Sequence, residues 1–329
     1  MNTINGYIPV RFCVFSFLLL CLSHAVRAED TDQFEVLRIK LAGWLEEIKT
    51  DMPSKSSMYV KDWLVDQWGS QKDDYMIFSV RSRKEYNHAH IPYAINIPYK
   101  KILSDHHLDD LDSMMTFIVY SDNGYDGVSA SVIMNLLGYK TYNLKFGMMD
   151  WNLKNVTGEV WKKSNIFPVS HKADVAGETY KYPIINHTST SLNDIIKSRY
   201  ISNVLNNANA ISISEVLKIL ENWSNNKPSY QLVSVRKKDD YIAGHIPNAI
   251  NIPLFELMER EQLKRLDPDK IILVYCGTGH LSELATSLLN LLGYNAQSIN
   301  YGMMGWNDKH ISQQVSWDVV ADYPVVNND

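Results

Sequence analysis

Hydrophobic positions along this chain follow three patterns, and each predicts a different element. From 12 to 22 they run almost without interruption. From Phe34 onward, Leu37, Leu41, Trp44, Leu45 and Ile48 recur at three- and four-residue intervals, so this stripe predicts an amphipathic helix lying on the body of the protein. Further along, short β-rich apolar runs alternate with longer amphipathic ones. The runs at 231–235, 249–252, 271–275 and 296–299 suit buried strands, and 214–221 and 282–292 suit helices, the second closed by Gly293 as a C-cap. Strands alternating with helices predict an α/β fold with a mostly parallel sheet flanked by helices. Ligands of such sheets bind beyond the carboxyl ends of the strands.

The pattern occurs twice. SVRSRKEYNHAHIPYAINIP from Ser79 matches SVRKKDDYIAGHIPNAINIP from Ser234, and NLLGYKTYNLKFGMMDWN from Asn135 matches NLLGYNAQSINYGMMGWN from Asn290. Both pairs share an offset of 155 without a gap, and about 30 of 78 aligned positions are identical. The unit is far longer than a solenoid repeat, so each copy should have its own core. The organisation read from these patterns is an N-terminal helical segment at 29–56, a first domain at 57–167, a linker at 168–207 rich in Asn, Ser, Thr and Lys, and a second domain at 208–325.

Composition narrows the classes. Hydrophobic residues make up 45% and charged residues 21% of 329, as in ordinary globular proteins. A net charge of −5 leaves no basic surplus for phosphates, so nucleic acid is not an expected partner. Residues 1–28 read as a secretory signal peptide: a polar start ending at Arg11, the apolar run, then Val26 and Ala28 at the −3 and −1 positions of a cleavage site. The expectation is an exported protein without stable membrane insertion after cleavage, periplasmic if bacterial; the alternative is an anchor that stays uncleaved. Lipid attachment at Cys21 is disfavoured, because Leu20 stands where a small residue is required. Cleavage removes Arg11 and Arg27, taking the charge from −5 to −7, and removes Cys13 and Cys21. Cys276 is then the sole cysteine, a thiol that can form no intrachain disulfide.

Cys276 follows the predicted strand 271–275 and opens Cys276-Gly277-Thr278-Gly279-His280-Leu281-Ser282, after which the helix begins. A short Gly-rich loop at a helix N-terminus can turn several N–H groups toward one point and hold an anion. The same field favours a thiolate and makes the sulfur nucleophilic. Gly277 and Gly279 permit unusual dihedrals and close approach of a ligand. Thr278 and Ser282 offer hydroxyls, Ser282 is a candidate helix cap, and His280 is a candidate source of positive charge. In the first copy the loop reads Ser121-Asp122-Asn123-Gly124-Tyr125-Asp126-Gly127. A hydroxyl replaces the thiol and two carboxylates enter a site meant for anions, so this copy reads as silent. His90 and His245 sit in the H-I-P segment of both copies and are expected to be structural. Trp151 and Trp306 read as core anchors.

Together, the VR…Y…HIPxAINIP segment, the strand-then-loop Cys276 and the GMMxWN segment resemble the rhodanese domain, twice over and across nearly all of the mature chain. In tandem members of that family the second domain usually carries the active cysteine. The resemblance implies a sulfurtransferase. A Cys276 thiolate takes the outer sulfur of a small anionic donor, of thiosulfate or mercaptopyruvate type, as a persulfide held by loop N–H groups. A thiophilic acceptor, cyanide or a thiol including a protein thiol, then removes it. No metal or organic cofactor is implied. The family's Asp two residues before the arginine of its first motif is Ser79 or Ser234 here. Arg236 is therefore less committed to an internal partner, and the resemblance leaves it as either a donor-binding or a structural residue. A phosphatase would need a cation at 281 or 282, where Leu281 and Ser282 stand. A second reading uses the same residues for a carrier that loads a chalcogen or oxyanion without turnover and delivers it to an exported protein.

Overall fold

The computed structural model describes residues 32–104, 107–157, 160–161, 164–172, 177–205, 210–311 and 321–328. Segment 1–28, read above as a signal peptide, lies outside them. The described residues form one compact body containing two parallel five-stranded sheets.

The stripe from Phe34 becomes helix α1, Gln33–Glu47, started by the Asp32 carboxylate accepting from the Phe34 N–H at 3.1 Å. The first sheet contains β1 (Ser54–Lys55), β2 (Tyr75–Ser79), β3 (Ile95–Asn96), β4 (Thr116–Tyr120) and β5 (Lys140–Leu144), in the order β1-β5-β4-β2-β3. Helices α2 (Tyr125–Leu136) and α3 (Gly147–Trp151) follow β4 and β5. The second sheet repeats this with β6 (Ala210–Ile211), β7 (Tyr230–Ser234), β8 (Ile250–Asn251), β9 (Ile271–Tyr275) and β10 (Asn295–Ile299), ordered β6-β10-β9-β7-β8. Even the register is conserved: Ile77 pairs with Ile118, and their counterparts Leu232 and Leu273 pair in turn. Two-sided burial explains why β4 (TFIVY) and β9 (IILVY) are continuously apolar.

The stretch read as a linker carries a helix of its own. α4 spans Leu192–Arg199 and continues into a wide turn at Tyr200–Leu205, burying Ile195, Ile196, Tyr200 and Val204 in the core shared by the repeats. It precedes the second sheet as α1 precedes the first. A polar composition concealed it, because only one narrow face of this helix is apolar. The second repeat then continues through α5 (Ile213–Glu221), α6 (His280–Leu292) and α7 (Gly302–Trp306). Gly293 adopts φ +98 and closes α6 as expected.

The two repeats are also strapped to each other. Residues 164–172, which follow the first repeat, lie on the second: Ile166 pairs with Asn307, Ser170 pairs with His245, and the Trp306 indole donates to the Pro168 carbonyl at 2.9 Å. Residues 321–328, which follow the second repeat, lie on the first: Val326 pairs with His90, and the Trp151 indole donates to the Pro324 carbonyl at 2.9 Å. Phe167 and Tyr323 each pack a ring against the tryptophan of the other repeat. The tails within the 57–167 and 208–325 boundaries are thus exchanged. Trp151 and Trp306 are fully buried anchors, each with its indole N–H satisfied by the strap.

Candidate active site at the meeting of two loops

The ends of β4 and β9 deliver their loops to the same place. Cys276 leaves β9 and is 2% exposed, with its Sγ accepting from the Gly279 N–H at 3.2 Å. Gly279 adopts φ +95, which glycine tolerates at no steric cost and which turns that N–H back toward the sulfur. The GMM helix holds the loop from the other side. Met303 and Met304 donate their N–H groups to the carbonyls of Cys276 and Gly277 at 3.0 and 2.8 Å. Gly302, at φ +48, presses so closely on the Cys276 carbonyl that a Cβ would collide with it. The loop of the first repeat is built alike: Met148 and Met149 donate to Ser121 and Asp122, and the Gly124 N–H reaches Ser121 Oγ at 3.0 Å.

The loops face each other across an approximate twofold. The Tyr301 N–H donates to Tyr125 Oη at 2.7 Å, and the equivalent Phe146 N–H donates to His280 Nε2 at 3.3 Å. Tyr125 Oη lies 3.2 Å from the Thr278 carbonyl, and His280 Nε2 lies 3.2 Å from the equivalent Asn123 carbonyl. Tyr125 therefore ties both flanks of the cysteine loop although it belongs to the first repeat. The sequence signal was available: Tyr125 and His280 sit 155 apart, and equivalent residues meet at a twofold.

Several expectations are corrected at this point. His280 is no source of charge: its burial, with Lys145 nearby, takes its pKa down to about 3, so the ring is neutral. Its Nε2 faces both the Phe146 N–H at 3.3 Å and the Asn123 carbonyl at 3.2 Å, and its Nδ1 lies 3.2 Å from Thr278 Oγ1. The Thr278 hydroxyl is thereby engaged. Helix α6 begins at His280, two residues earlier than read, so Ser282 is no cap. Its hydroxyl turns inward, donating to the Gly279 carbonyl at 2.9 Å and meeting Ser298 Oγ at 2.9 Å. Leu281 points outward at 38% exposure. Arg236 is more committed than the missing aspartate suggested. Its Nη1 and Nη2 donate to the carbonyls of Gly244 and His310 at 2.7 and 2.6 Å. His90 and His245 are buried, with Nδ1 2.9 Å from the carbonyls of Tyr86 and Tyr241, on which their rings stack.

The first repeat shows what the third nitrogen of Arg236 can do. Arg81 binds the equivalent carbonyls of Ala89 and Asn155 and brings Nε within 2.8 Å of Asp122 Oδ1. Position 277 is glycine, so Arg236 Nε has no carboxylate there and no hydrogen-bond partner among the described residues. The cysteine loop thus combines a thiol, the Gly279 N–H directed at it and a guanidinium edge. The loop of the first repeat has a hydroxyl and an arginine paired with its own aspartate.

Comparison with known proteins agrees with this geometry. The Rhodanese-like domain family matches residues 61–154 and 216–309, two segments separated by the same 155 residues as the repeat. A mycobacterial HTH-type transcriptional regulator, Rv0324 of Mycobacterium tuberculosis, is 38% identical over 77 residues, covering 23% of this chain and 33% of its own. Thiosulfate sulfurtransferase PspE of Escherichia coli is 37% identical over 62 residues, covering 19% of this chain and 60% of its own. A solved thiosulfate sulfurtransferase from Pseudomonas aeruginosa aligns over 85% of this chain and 49% of its own at 16% identity and TM-score 0.30. The chain spans 33% or less of the length of several curated relatives.

Proposed function

The chain belongs to the rhodanese-like family, with two such domains, and from that premise we propose that it is an exported sulfurtransferase whose second domain works through a persulfide on Cys276. The observation that carries this reading is the Gly279 N–H aimed at Cys276 Sγ from 3.2 Å, where β9 gives way to α6. The Cys276 thiolate attacks the outer sulfur of the donor. As the new S–S bond forms, the bond from that sulfur to the leaving group breaks, and with thiosulfate the leaving group is sulfite. The persulfide's negative charge stays beside the loop N–H groups, which act as an oxyanion hole does. Cyanide or a thiolate then takes the outer sulfur, and the electron pair of the S–S bond returns to Cys276. The Asp122 carboxylate on Arg81 Nε suggests where the donor's anionic group would sit on Arg236. No cofactor enters this cycle.

The first repeat serves as a scaffold in this reading, lacking the sulfur nucleophile. In this reading residues 1–28 serve as the export signal, and the reaction is periplasmic if the source is bacterial. The burial of Cys276 favours small donors and acceptors. Initial rates with thiosulfate and cyanide test the cycle: double-reciprocal plots should be parallel, as ping-pong kinetics require, and Cys276→Ser should abolish turnover. Full transfer activity in Cys276→Ser would reject it.

A further inference from the structure

The cysteine loop contains no charged side chain: His280 is neutral, and the other members are Gly277, Thr278, Gly279, Leu281 and Ser282. Arg236 has two of its three nitrogens tied to backbone carbonyls. A small dianion entering this place needs more positive charge than the second repeat supplies. The first repeat has it at the end of β5. Lys145 is partly buried, its backbone N–H held by the Lys55 carbonyl at 2.8 Å. Its Nζ lies 5.2 Å from the centroid of Phe146, whose N–H bonds His280 and whose ring meets the His280 ring edge-on at 4.6 Å. Among the described residues its ammonium forms no ion pair.

We propose that Lys145, from the repeat without the cysteine, is a specificity-determining residue of the Cys276 site and guides small anionic sulfur donors to it. This rests on the sulfur-transfer reading above. The asymmetry of the repeats supports it independently. The counterpart of Lys145 is Asn300, and the counterparts of Gly277 and Leu281 are Asp122 and Asp126. Around the silent loop the cation is gone and two carboxylates have appeared; around the cysteine loop both carboxylates are gone and the cation is present. Burial lowers the pKa of Lys145, against the opposing influence of Asp150 and Cys276. A half-buried ammonium is relieved by an anion arriving beside it.

The test compares wild type, Lys145→Gln and Lys145→Arg in the full chain by two readouts. One is the rate at which thiosulfate loads Cys276. The other is the ratio of alkylation rates at Cys276 with iodoacetate, an anion, and iodoacetamide, its neutral analogue. Lys145→Gln should lower both the loading rate and the iodoacetate-to-iodoacetamide ratio about ten-fold, as loss of one nearby charge in a partly screened site implies. It should leave the urea midpoint unchanged, and Lys145→Arg should restore both the loading rate and the ratio. An unchanged ratio in Lys145→Gln overturns the proposal. If thiosulfate never loads wild type while the ratio still falls, Lys145 stands as the anion guide and the sulfur-transfer reading is the one that fails.

Discussion

Glu283 offers a quantitative test of how the two repeats are joined. It lies on α6, is 2% exposed, and accepts from Ser129 Oγ of α2 in the other repeat at 2.6 Å. Oε2 has no hydrogen-bond partner among the described residues. Burial raises its pKa from 4.5 to about 8, with Asp126 adding to the rise and the Ser129 bond opposing it. The folded protein therefore binds a proton at Glu283 that the unfolded chain releases above its ordinary carboxylate value. The stabilisation is fully present below pH 4.5 and is lost as pH rises through about 8, at about 1.4 kcal/mol per pH unit. His280 works the other way. Its folded pKa is depressed to about 3, so its contribution is present above 6.5 and is lost as pH falls toward 3. The two slopes oppose each other from 4.5 to 6.5, and between 6.5 and 8 Glu283 acts alone, a fall of about 2 kcal/mol. Glu283→Gln keeps the acceptor for Ser129 and removes the titration. Urea unfolding of both proteins at pH 6.5 and 8 should show the wild-type midpoint falling by about 0.7 M relative to the variant, for an m value near 3 kcal/mol per M. Parallel pH profiles would refute the assignment of a proton to Glu283.

Three further outcomes follow from the contacts between repeats. Tyr125→Phe removes the phenol that bonds the Thr278 carbonyl and the Tyr301 N–H; it should cost about 1–3 kcal/mol and slow turnover although it lies in the repeat without the cysteine, and unchanged steady-state kinetics would contradict this. Deleting residues 321–329 should loosen the first repeat rather than the second to which they are joined, because the strap holds Trp151 and His90; hydrogen exchange should show protection lost in β2–β4 first, and first loss in β7–β9 would be the opposite result. Gly302→Ala drives a Cβ into the Cys276 carbonyl at a positive φ, so it should destabilise by about 2–4 kcal/mol and impair transfer, whereas Gly43→Ala, with open space around it in α1, should be neutral or stabilising. Equal effects of the two alanines on the urea midpoint would count against the close packing of the loop.

What could be read from the chain was whatever repeats without change. The 155-residue offset carries over into identical strand orders and registers, and the strand-to-loop placement of Cys276 follows from IILVY ending where the glycines begin. The exchanged straps were hidden because each is marked only by an aromatic-Pro-Val triplet, Phe167-Pro168-Val169 and Tyr323-Pro324-Val325, at an offset of 156 rather than 155. The face-to-face loops were less legible because Tyr125 and Phe146 meet residues more than 130 positions away. Charge states were the least legible: the same imidazole is cationic or neutral according to burial, and nothing local to His280 in the sequence reveals that Phe146 will donate to it. Arg236 misled for a related reason, since backbone carbonyls from Gly244 and His310 replace the carboxylate that local sequence lacks.

The central claim is that sulfur resides covalently on Cys276, and intact mass measures it directly. Reduced mature protein should gain about 32 Da on exposure to thiosulfate, lose it to cyanide, and show no gain as Cys276→Ser. A gain that persists in Cys276→Ser, or no gain in wild type with thiosulfate or with mercaptopyruvate, would contradict the account.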